Sequence, residues 1–261
     1  MHPYLEPPVP HALAHRGGAL LAGNEQVENT LEAFRRAVEL GYAYVETDVH
    51  VSADGVVYAF HDLSLSRMTG DEAAIETLTG DQVDAVVMGG RAPIPRLSAV
   101  LEALPATRFN IDVKSDAAVE PTLDVIARAG AQDRVCLATF SDARMRRIRE
   151  LAPGLATALS PVEVALLRLA PLRRLQACGA RRGAVAAQVP ERRGRVRVVT
   201  RGFVERAHAA GILVHVWTVD SAVDMHRLLD LGVDGIVTDR PDVLRDVLVE
   251  RGAPWPPAVS S

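Results

Sequence analysis

Short runs of β-branched and other apolar residues alternate with amphipathic segments along almost the whole chain. This alternation is typical of a parallel sheet in which helices connect successive strands. Several amphipathic segments end in glycine and lead directly into the next apolar run, as at Ala210-Gly211-Ile212. Strands are predicted near residues 11–15, 42–51, 56–60, 108–113, 135–138, 155–159, 184–189, 213–216 and 235–237, and helices near residues 31–40, 98–104, 142–151, 161–169, 200–210, 221–231 and 241–250.

The number and order of these elements favour one architecture. The run at residues 56–60 follows the turn Ser52-Ala53-Asp54-Gly55 and is expected to form a hairpin strand, which leaves eight strands separated by helices. Eight such strands favour an α/β fold, a (β/α)8 TIM barrel. An open, doubly wound sheet is the alternative, but no Gly-x-Gly-x-x-Gly sequence follows a strand to support it. A chain of 261 residues with 48% hydrophobic content can bury one barrel, although two smaller domains would also fit. We predict a single barrel domain over residues 1–261.

One segment interrupts the alternation. Residues 61–96 separate a predicted strand from its helix by far more than the few residues of an ordinary connection. We therefore predict an insertion at about residues 63–95. Because the connections at this end of a barrel lie over the active site, the insertion is expected to act as a lid or to face the substrate.

Composition excludes several classes of protein. A net charge of −4 and a pI near 6.1 argue against a nucleic-acid partner, whose phosphate backbone requires a basic face. No uninterrupted apolar run approaches the roughly 18–20 residues that cross a bilayer. The first ten residues contain four prolines and no positive region, unlike a secretory signal peptide. With only Cys136 and Cys178, a disulfide scaffold is not expected, and we predict a cytoplasmic enzyme.

Residues 171–201 are unusually basic, with nine arginines and one acidic residue, Glu191. A solvated loop face is the favoured interpretation of such a run. The alternative is a weak contact between this stretch, from Pro171 to Arg201, and an anionic surface.

Two strands carry polar residues at alternate positions. Glu46 and Asp48 lie two residues apart, so both carboxylates point to one side of their strand, and in a barrel this side is the interior near the mouth. Two such carboxylates repel one another, and either a divalent cation or a pair of arginines would relieve this. Oxygen ligands favour Mg²⁺ or Ca²⁺ over zinc. On the next strand Asn110, Asp112 and Lys114, the only lysine, also share one face. Asp112 could supply a third carboxylate, and Lys114 an ammonium for a phosphate oxygen.

Two histidines follow strands at the same end of the predicted barrel. His15-Arg16-Gly17-Gly18 ends the first strand, and His61-Asp62 follows the hairpin strand. Two imidazoles beside a phosphodiester suit general acid and base catalysis near neutral pH, and Arg16 offers a forked guanidinium for the phosphate. Gly17 and Gly18 are expected to let the backbone approach a ligand closely. Structural roles are the favoured interpretation for the other histidines, namely His2, His11, His50, His208, His215 and His226.

A set of short motifs resembles the glycerophosphodiester phosphodiesterase family, and the resemblance extends from residue 11 to about residue 248. Each motif alone is weak, whereas the ordered set is specific. The motifs are His15-Arg16-Gly17, Glu28-Asn29-Thr30, Glu46-x-Asp48, His61-Asp62, Asn110-x-x-x-Lys114, Val216-Trp217-Thr218-Val219 and Gly232-Val233-Asp234-Gly235-Ile236-Val237-Thr238-Asp239.

The resemblance implies a barrel with a small insertion after the second histidine motif, and metal-dependent hydrolysis of glycerophosphodiesters to sn-glycerol 3-phosphate and an alcohol. It also implies that a neighbouring glycerol hydroxyl attacks first, giving a cyclic phosphate that water then opens. The site residues that it implies have five roles. One Mg²⁺ or Ca²⁺ would be held by Glu46, Asp48 and Asp112; His15 and His61 would be the acid–base pair; Arg16 and Lys114 would bind phosphate; Trp217 would line the substrate pocket, with core packing as the alternative; and Glu28, Asn29 and Asn110 would support the site.

The chain departs from the family pattern at Asp112, where the family usually has glutamate. The side chain is one methylene shorter, so the ion would have to shift or a water would intervene. Two other functions are alternatives to glycerophosphodiester hydrolysis. One is a lysophospholipase D-like enzyme that acts on single-chain lipids at a membrane surface, which the arginine-rich stretch favours. The other is a non-catalytic barrel that binds phosphoesters, against which the complete set of histidines and carboxylates argues.

Overall fold

The computed structural model describes residues 2–256. Residues 1 and 257–261 of the predicted domain therefore lie outside the described part, as do the side chains of Arg173, Arg174 and Arg181 in the basic stretch. Within the described part, eight parallel strands pair in chain order, and the last strand pairs with the first. The pairing of Leu13 with Tyr44 completes the ring between the first and second strands. The predicted (β/α)8 barrel is therefore confirmed.

The barrel strands are β1 (His11–Ala14), β2 (Tyr44–Val51), β3 (Arg108–Val113), β4 (Val135–Ala138), β5 (Ala156–Ala158), β6 (Ala184–Pro190), β7 (Leu213–Trp217) and β8 (Gly235–Thr238). The helices are α1 (Leu31–Glu39), α2 (Ser66–Thr69), α3 (Gly80–Asp84), α4 (Leu97–Ala103), α5 (Val119–Arg128), α6 (Asp142–Leu151), α7 (Pro161–Leu169), α8 (Arg173–Gln176), α9 (Arg201–Ala209), α10 (Ala222–Asp230) and α11 (Pro241–Glu250).

Helix α5 was not predicted from the sequence, and its local signals explain why. Its N-cap residue is Ala118, which makes no side-chain capping hydrogen bond. Pro121 lies in the first turn of the helix. A proline usually predicts the end of a helix, but the N–H groups of the first turn have no partner within the helix, so this proline removes no helical hydrogen bond. Packing stabilises the helix in place of capping hydrogen bonds, since Val119, Thr122 and Ile126 are all buried.

Side chains on the outer faces of the strands pack against the helices. Val45, Val49, Ile111 and Val113 are fully buried between the barrel and the helix layer. The interior near the amino-terminal ends of the strands is filled by a second apolar cluster. Its members include Tyr4, from a 3-10 helix at Pro3–Leu5, and Tyr44, whose hydroxyl donates to the Tyr4 carbonyl oxygen at 2.6 Å. Because this cluster fills the amino-terminal end, the open mouth of the barrel lies at the carboxyl ends of the strands.

The segment after β2 folds back on it. Val57–Ala59 forms a short antiparallel strand, with Ala59 opposite Val49, and the Phe60 N–H donates to the Asp48 carbonyl oxygen at 2.9 Å. This hairpin returns the chain to the level of Asp48, where His61 follows.

Residues 63–95 form a small unit of their own. They contain α2, α3, a 3-10 turn at Ile75–Thr77 and a two-stranded hairpin of Val87–Met88 with Ala92–Pro93. A separate apolar cluster holds this unit together and joins it to the hairpin strand; its buried members are Tyr58, Phe60, Leu65, Ile75, Val83, Met88 and Ile94.

The basic stretch at residues 171–201 does not form one surface. Strand β6 runs through it and spans the barrel, so arginines before residue 184 and arginines after residue 190 lie at opposite ends of the barrel. The second group forms an exposed hairpin of Arg192–Arg193 with Val196–Arg197 at the carboxyl ends of the strands. Among the described residues, no helix has the length and apolar character that crossing a membrane requires.

Candidate active site

The register between β2 and β3 places the predicted carboxylates side by side. Glu46 lies opposite Asn110, and Asp48 lies opposite Asp112. All four residues are buried inside the mouth end of the barrel. These two adjacent pairs are called the carboxylate layer below. Asn110 accepts a hydrogen bond from the side-chain amide of Gln188 on β6 at 2.8 Å, which connects the opposite side of the barrel to this layer.

Lys114 lies between two of these carboxylates. Its ammonium nitrogen is 2.6 Å from Oδ1 of Asp48 and 2.7 Å from Oδ2 of Asp112. Burial raises the pKa of Asp48, but the charges of Lys114 and Arg16 outweigh it and leave that pKa lowered. The sequence predicted that Lys114 would extend toward the mouth and a phosphate. In the structure it turns back, because the two buried carboxylates are the nearest partners for its charge.

Glu46 and one oxygen of Asp112 are not matched by a cation in this way. Burial and the charge of Asp48 raise the pKa of Glu46 to about 7. Burial also raises the pKa of Asp112, whose Oδ1 is buried without a hydrogen-bond partner among the described residues. The layer therefore contains more buried carboxylate oxygen than the neighbouring cations satisfy.

This donor set is compatible with a hard divalent cation. Carboxylate oxygens are the ligands that Mg²⁺ and Ca²⁺ prefer, and the free Oδ1 of Asp112 is one of them. In the part of the chain that is described, no three acidic, histidine or cysteine side chains already stand in an ion-holding arrangement. The ammonium of Lys114 would have to leave the gap between Asp48 and Asp112 for an ion to enter it.

His15 is oriented by a carboxylate from the other end of the chain. Its Nδ1 donates to Oδ1 of Asp239, which follows β8, at 2.7 Å, and its Nε2 lies 3.8 Å from Oε2 of Glu46. Burial lowers the pKa of His15, but the charge of Glu46 and the hydrogen bond to Asp239 outweigh it, so the pKa is raised. Asp239 is not among the site residues predicted from the sequence; its position directly after the last strand of the barrel was the available signal.

His61 has a comparable partner next to it in the chain. Its Nδ1 donates to Oδ1 of Asp62 at 2.6 Å, which leaves Nε2 free to face a ligand. Its side chain is 34% exposed, against 17% for His15. Burial raises the pKa of Asp62, whereas hydrogen bonds from Arg67 and His61 lower it, and the net shift is downward.

Arg16 links the first loop to the carboxylate layer. Its guanidinium lies 2.9 Å from Oε1 of Glu28 and 3.4 Å from Oδ2 of Asp48, and its backbone N–H donates to Oε2 of Glu46 at 3.1 Å. Asn29 donates to Oδ2 of Asp48 at 3.1 Å and accepts from Thr47 at 2.7 Å. Arg16 and Asn29 both have positive φ, 52° and 59°, so these contacts hold the loop in a conformation that L-residues adopt rarely.

The two glycines after Arg16 are required by packing against the protein itself. A Cβ at Gly17 would lie 2.8 Å from the backbone of Ala33 on α1, and one at Gly18 would lie 2.6 Å from the ring of Pro241. These contacts with α1 and α11 hold the His15–Arg16 turn against the barrel, and the close approach to a ligand stays a prediction.

Trp217 lies at the carboxyl end of β7, and Phe140, which follows β4, packs against it. The two rings meet edge to face, with centroids 5.8 Å apart. Phe140 is 68% exposed. The mouth of the barrel thus has an aromatic wall on the side away from the first loop.

Comparisons with known proteins show which family and fold this chain resembles. The model of the glycerophosphoryl diester phosphodiesterase family matches residues 15–243. The protein named probable glycerophosphodiester phosphodiesterase 2 of Mycobacterium tuberculosis is 42% identical over 244 residues, which are 92% of this chain and 91% of that protein. The crystal structure of a glycerophosphodiester phosphodiesterase from Agrobacterium tumefaciens superposes with a TM-score of 0.76 at 25% identity and covers 92% of this chain and 99% of that one. An Oleispira antarctica phosphodiesterase in complex with sn-glycerol-3-phosphate has the same fold, with a TM-score of 0.77 at 20% identity over 92% of this chain and 97% of that one.

The buried charge of Glu46 leads to a prediction on stability. Its folded-state pKa of about 7 exceeds the usual value of 4.5, so its contribution to folding is fully present below pH 4.5 and is lost as the pH rises through 7. Glu46→Gln should therefore increase the free energy of unfolding at pH 8 by roughly 2–3 kcal/mol, and by much less at pH 5, in the presence of a chelator. Urea denaturation at the two pH values measures this. The exposed Glu205→Gln is the control and should change little at either pH; an equal effect of Glu46→Gln at both would contradict the assignment.

Proposed function

Because the chain belongs to the glycerophosphoryl diester phosphodiesterase family, we propose that it hydrolyses glycerophosphodiesters to sn-glycerol 3-phosphate and an alcohol with a bound divalent cation and two histidines. The observation that carries this proposal is the convergence of Glu46, Asp48 and Asp112 in one buried layer, beside the turn that holds His15.

The cation would be Mg²⁺ or Ca²⁺, held by Glu46, Asp48 and Asp112. When bound, it would polarise the phosphoryl group and lower the pKa of an attacking hydroxyl. The shorter side chain of Asp112 is compatible with this role because its Oδ1 is free of protein donors in the described part of the chain. Lys114, once displaced by the ion, would become available to a phosphate oxygen, as would Arg16.

The histidines would move the protons. A glycerol hydroxyl of the substrate attacks the neighbouring phosphorus, the bond from phosphorus to the leaving alcohol breaks, and water then opens the cyclic phosphate to give sn-glycerol 3-phosphate. One histidine removes the proton from the attacking oxygen and the other donates a proton to the leaving oxygen. The pairs His15–Asp239 and His61–Asp62 support these roles, since each carboxylate holds Nδ1 protonated and leaves Nε2 for the substrate.

An assay on glycerophosphocholine tests the proposal. The wild-type enzyme should release sn-glycerol 3-phosphate and choline, lose this activity in EDTA and regain it when Mg²⁺ or Ca²⁺ is restored. A barrel that only binds phosphoesters would bind the substrate and release no product. Product formation that is indifferent to chelation would contradict the metal assignment.

The same assay tests whether the two histidines act as the general acid and base. His15→Ala and His61→Ala should each lower kcat by about 10²–10⁴-fold, because general acid–base help is worth that much, while KM changes little. His226→Ala, a partly exposed histidine on α10, is the matched control and should retain wild-type kcat. Retention of most activity by either His15→Ala or His61→Ala would show that the assignment is wrong.

A lysophospholipase D-like activity at a lipid surface is the second candidate. Four arginines of the hairpin at residues 192–197 are exposed at the mouth end of the barrel, and Val196 between them is 62% exposed. Leu63 and Phe140, which also follow strands at this end, are 81% and 68% exposed. A basic hairpin and exposed apolar side chains at the same end of the barrel would suit a bilayer that contains anionic lipid, at about 1 kcal/mol for each arginine near the surface.

Vesicle assays separate this candidate from action on dissolved substrates. If it is right, hydrolysis of lysophosphatidylcholine should rise when anionic lipid is added to neutral vesicles and fall with salt. The double variant Arg193→Gln/Arg195→Gln should lose this rise, while Arg128→Gln/Arg147→Gln, which removes two exposed arginines on α5 and α6, should keep it. Equal rates on neutral and anionic vesicles would exclude the lysophospholipase D-like activity.

The location of the enzyme in the cytoplasm is a further expectation, based on its two unpaired cysteines.

A further inference from the structure

Arg67 joins two parts of the site that lie far apart in the sequence. Its Nε donates to Oδ2 of Asp62 at 2.6 Å, and its two terminal nitrogens donate to the carboxylate of Glu28 at 2.5 and 3.2 Å. Asp62 holds His61 through its other oxygen, and Glu28 holds Arg16. A single guanidinium therefore bridges the supports of a proposed acid–base residue and a proposed phosphate ligand.

Arg67 belongs to α2, a short exposed helix in the segment that follows His61, and contacts at both ends hold this helix in place. Leu65, two residues earlier, is fully buried in the apolar cluster of residues 63–95, and its N–H donates to the Ala73 carbonyl oxygen at 2.9 Å. Thr69 donates its hydroxyl to the Leu65 carbonyl oxygen at 3.0 Å, and Gly70 ends the helix with a φ of 81°. The guanidinium is thus presented to Asp62 and Glu28 from a fixed backbone.

His61 needs such an anchor more than His15 does. Its side chain is twice as exposed as that of His15, and its carboxylate partner is its immediate neighbour on a loop. An aspartate that bonds only to the adjacent residue can turn with it, whereas an aspartate whose second oxygen is bonded to a guanidinium on another element cannot. The planar fork of arginine presents its donors in fixed directions to both carboxylates, whereas the ammonium of lysine rotates freely and is a weaker constraint on their orientation.

We infer that Arg67 is a positioning residue of the phosphodiesterase reaction, which fixes Asp62 and thereby orients His61. The inference rests on the proposed function. Through the side chain of Arg67, residues 63–95 take a direct part in the active site. Arg67 acts through Asp62, and Arg16 keeps its own contact with Glu28 at 2.9 Å without it, so the loss of Arg67 should affect the chemical step more than substrate binding.

Kinetics of Arg67→Gln test the direct consequence. On glycerophosphocholine, kcat should fall by about 10–100-fold, a loss typical of removing a residue that holds active-site side chains in orientation, while KM changes by less than about threefold. Arg67→Lys keeps the charge but not the fork and should fall between wild type and Arg67→Gln. The matched control is Arg96→Gln, which removes a similarly exposed arginine that makes a comparable forked contact with Asp84, away from the site. It should retain wild-type kcat.

A double-mutant cycle with Asp62→Asn decides whether Arg67 acts through Asp62. If it does, adding Arg67→Gln to Asp62→Asn should lower kcat by less than about threefold, since the connection is already lost. If the losses multiply, Arg67 acts independently of Asp62 and the inference is wrong. Wild-type kcat for Arg67→Lys and Arg67→Gln, or a loss found only in KM, would also overturn it. An inactive wild-type enzyme would instead contradict the proposed function, so the two failures are distinguishable.

Discussion

The parallel pairing of β2 with β3 is the constraint on which the site depends. It brings Asp48 opposite Asp112 and Glu46 opposite Asn110, so that three acids share one layer inside the barrel. Such a layer is costly because it removes carboxylates from water and brings like charges together. The protein offsets this cost in part with the ammonium of Lys114 and the guanidinium of Arg16. The remaining imbalance is visible in the raised pKa of Glu46 and in the Oδ1 of Asp112, which has no hydrogen-bond partner among residues 2–256 as described.

The rest of the fold protects this arrangement. Tyr4 and Tyr44 help close the amino-terminal end of the barrel, which leaves the opposite end as the polar opening. Loops that follow different strands then reach the carboxylate layer: the turn after β1 supplies His15 and Arg16, the hairpin after β2 returns His61 to the level of Asp48, and Asp239 after β8 orients His15. Contacts between these loops, above all those of Glu28 and Asp62 with Arg67, replace the rigidity that loops otherwise lack.

The sequence was sufficient for features that depend on local periodicity. Alternation of polar and apolar residues along β2 and β3 correctly gave the inner face with Glu46, Asp48 and Asp112, and the order of strands and helices gave the barrel. Features that depend on tertiary contacts were not accessible. The direction of Lys114 depends on which charge lies nearest, the bridge from Arg67 joins residues 39 positions apart, and the arginines of residues 171–201 are divided by a strand. Helix α5 was missed because packing, and not capping, stabilises it.

We propose that this carboxylate layer holds a hard cation and that Lys114 occupies part of the cation's position when no ion is bound. A crystal structure of the protein grown with Mn²⁺, whose anomalous scattering identifies the ion, tests this most directly. We expect one ion with oxygen atoms of Glu46, Asp48 and Asp112 at about 2.0–2.6 Å, directly or through one water at Asp112, and the ammonium of Lys114 moved out of the gap between the two aspartates. An ammonium that remains between Asp48 and Asp112, with no anomalous density in the layer, would contradict it.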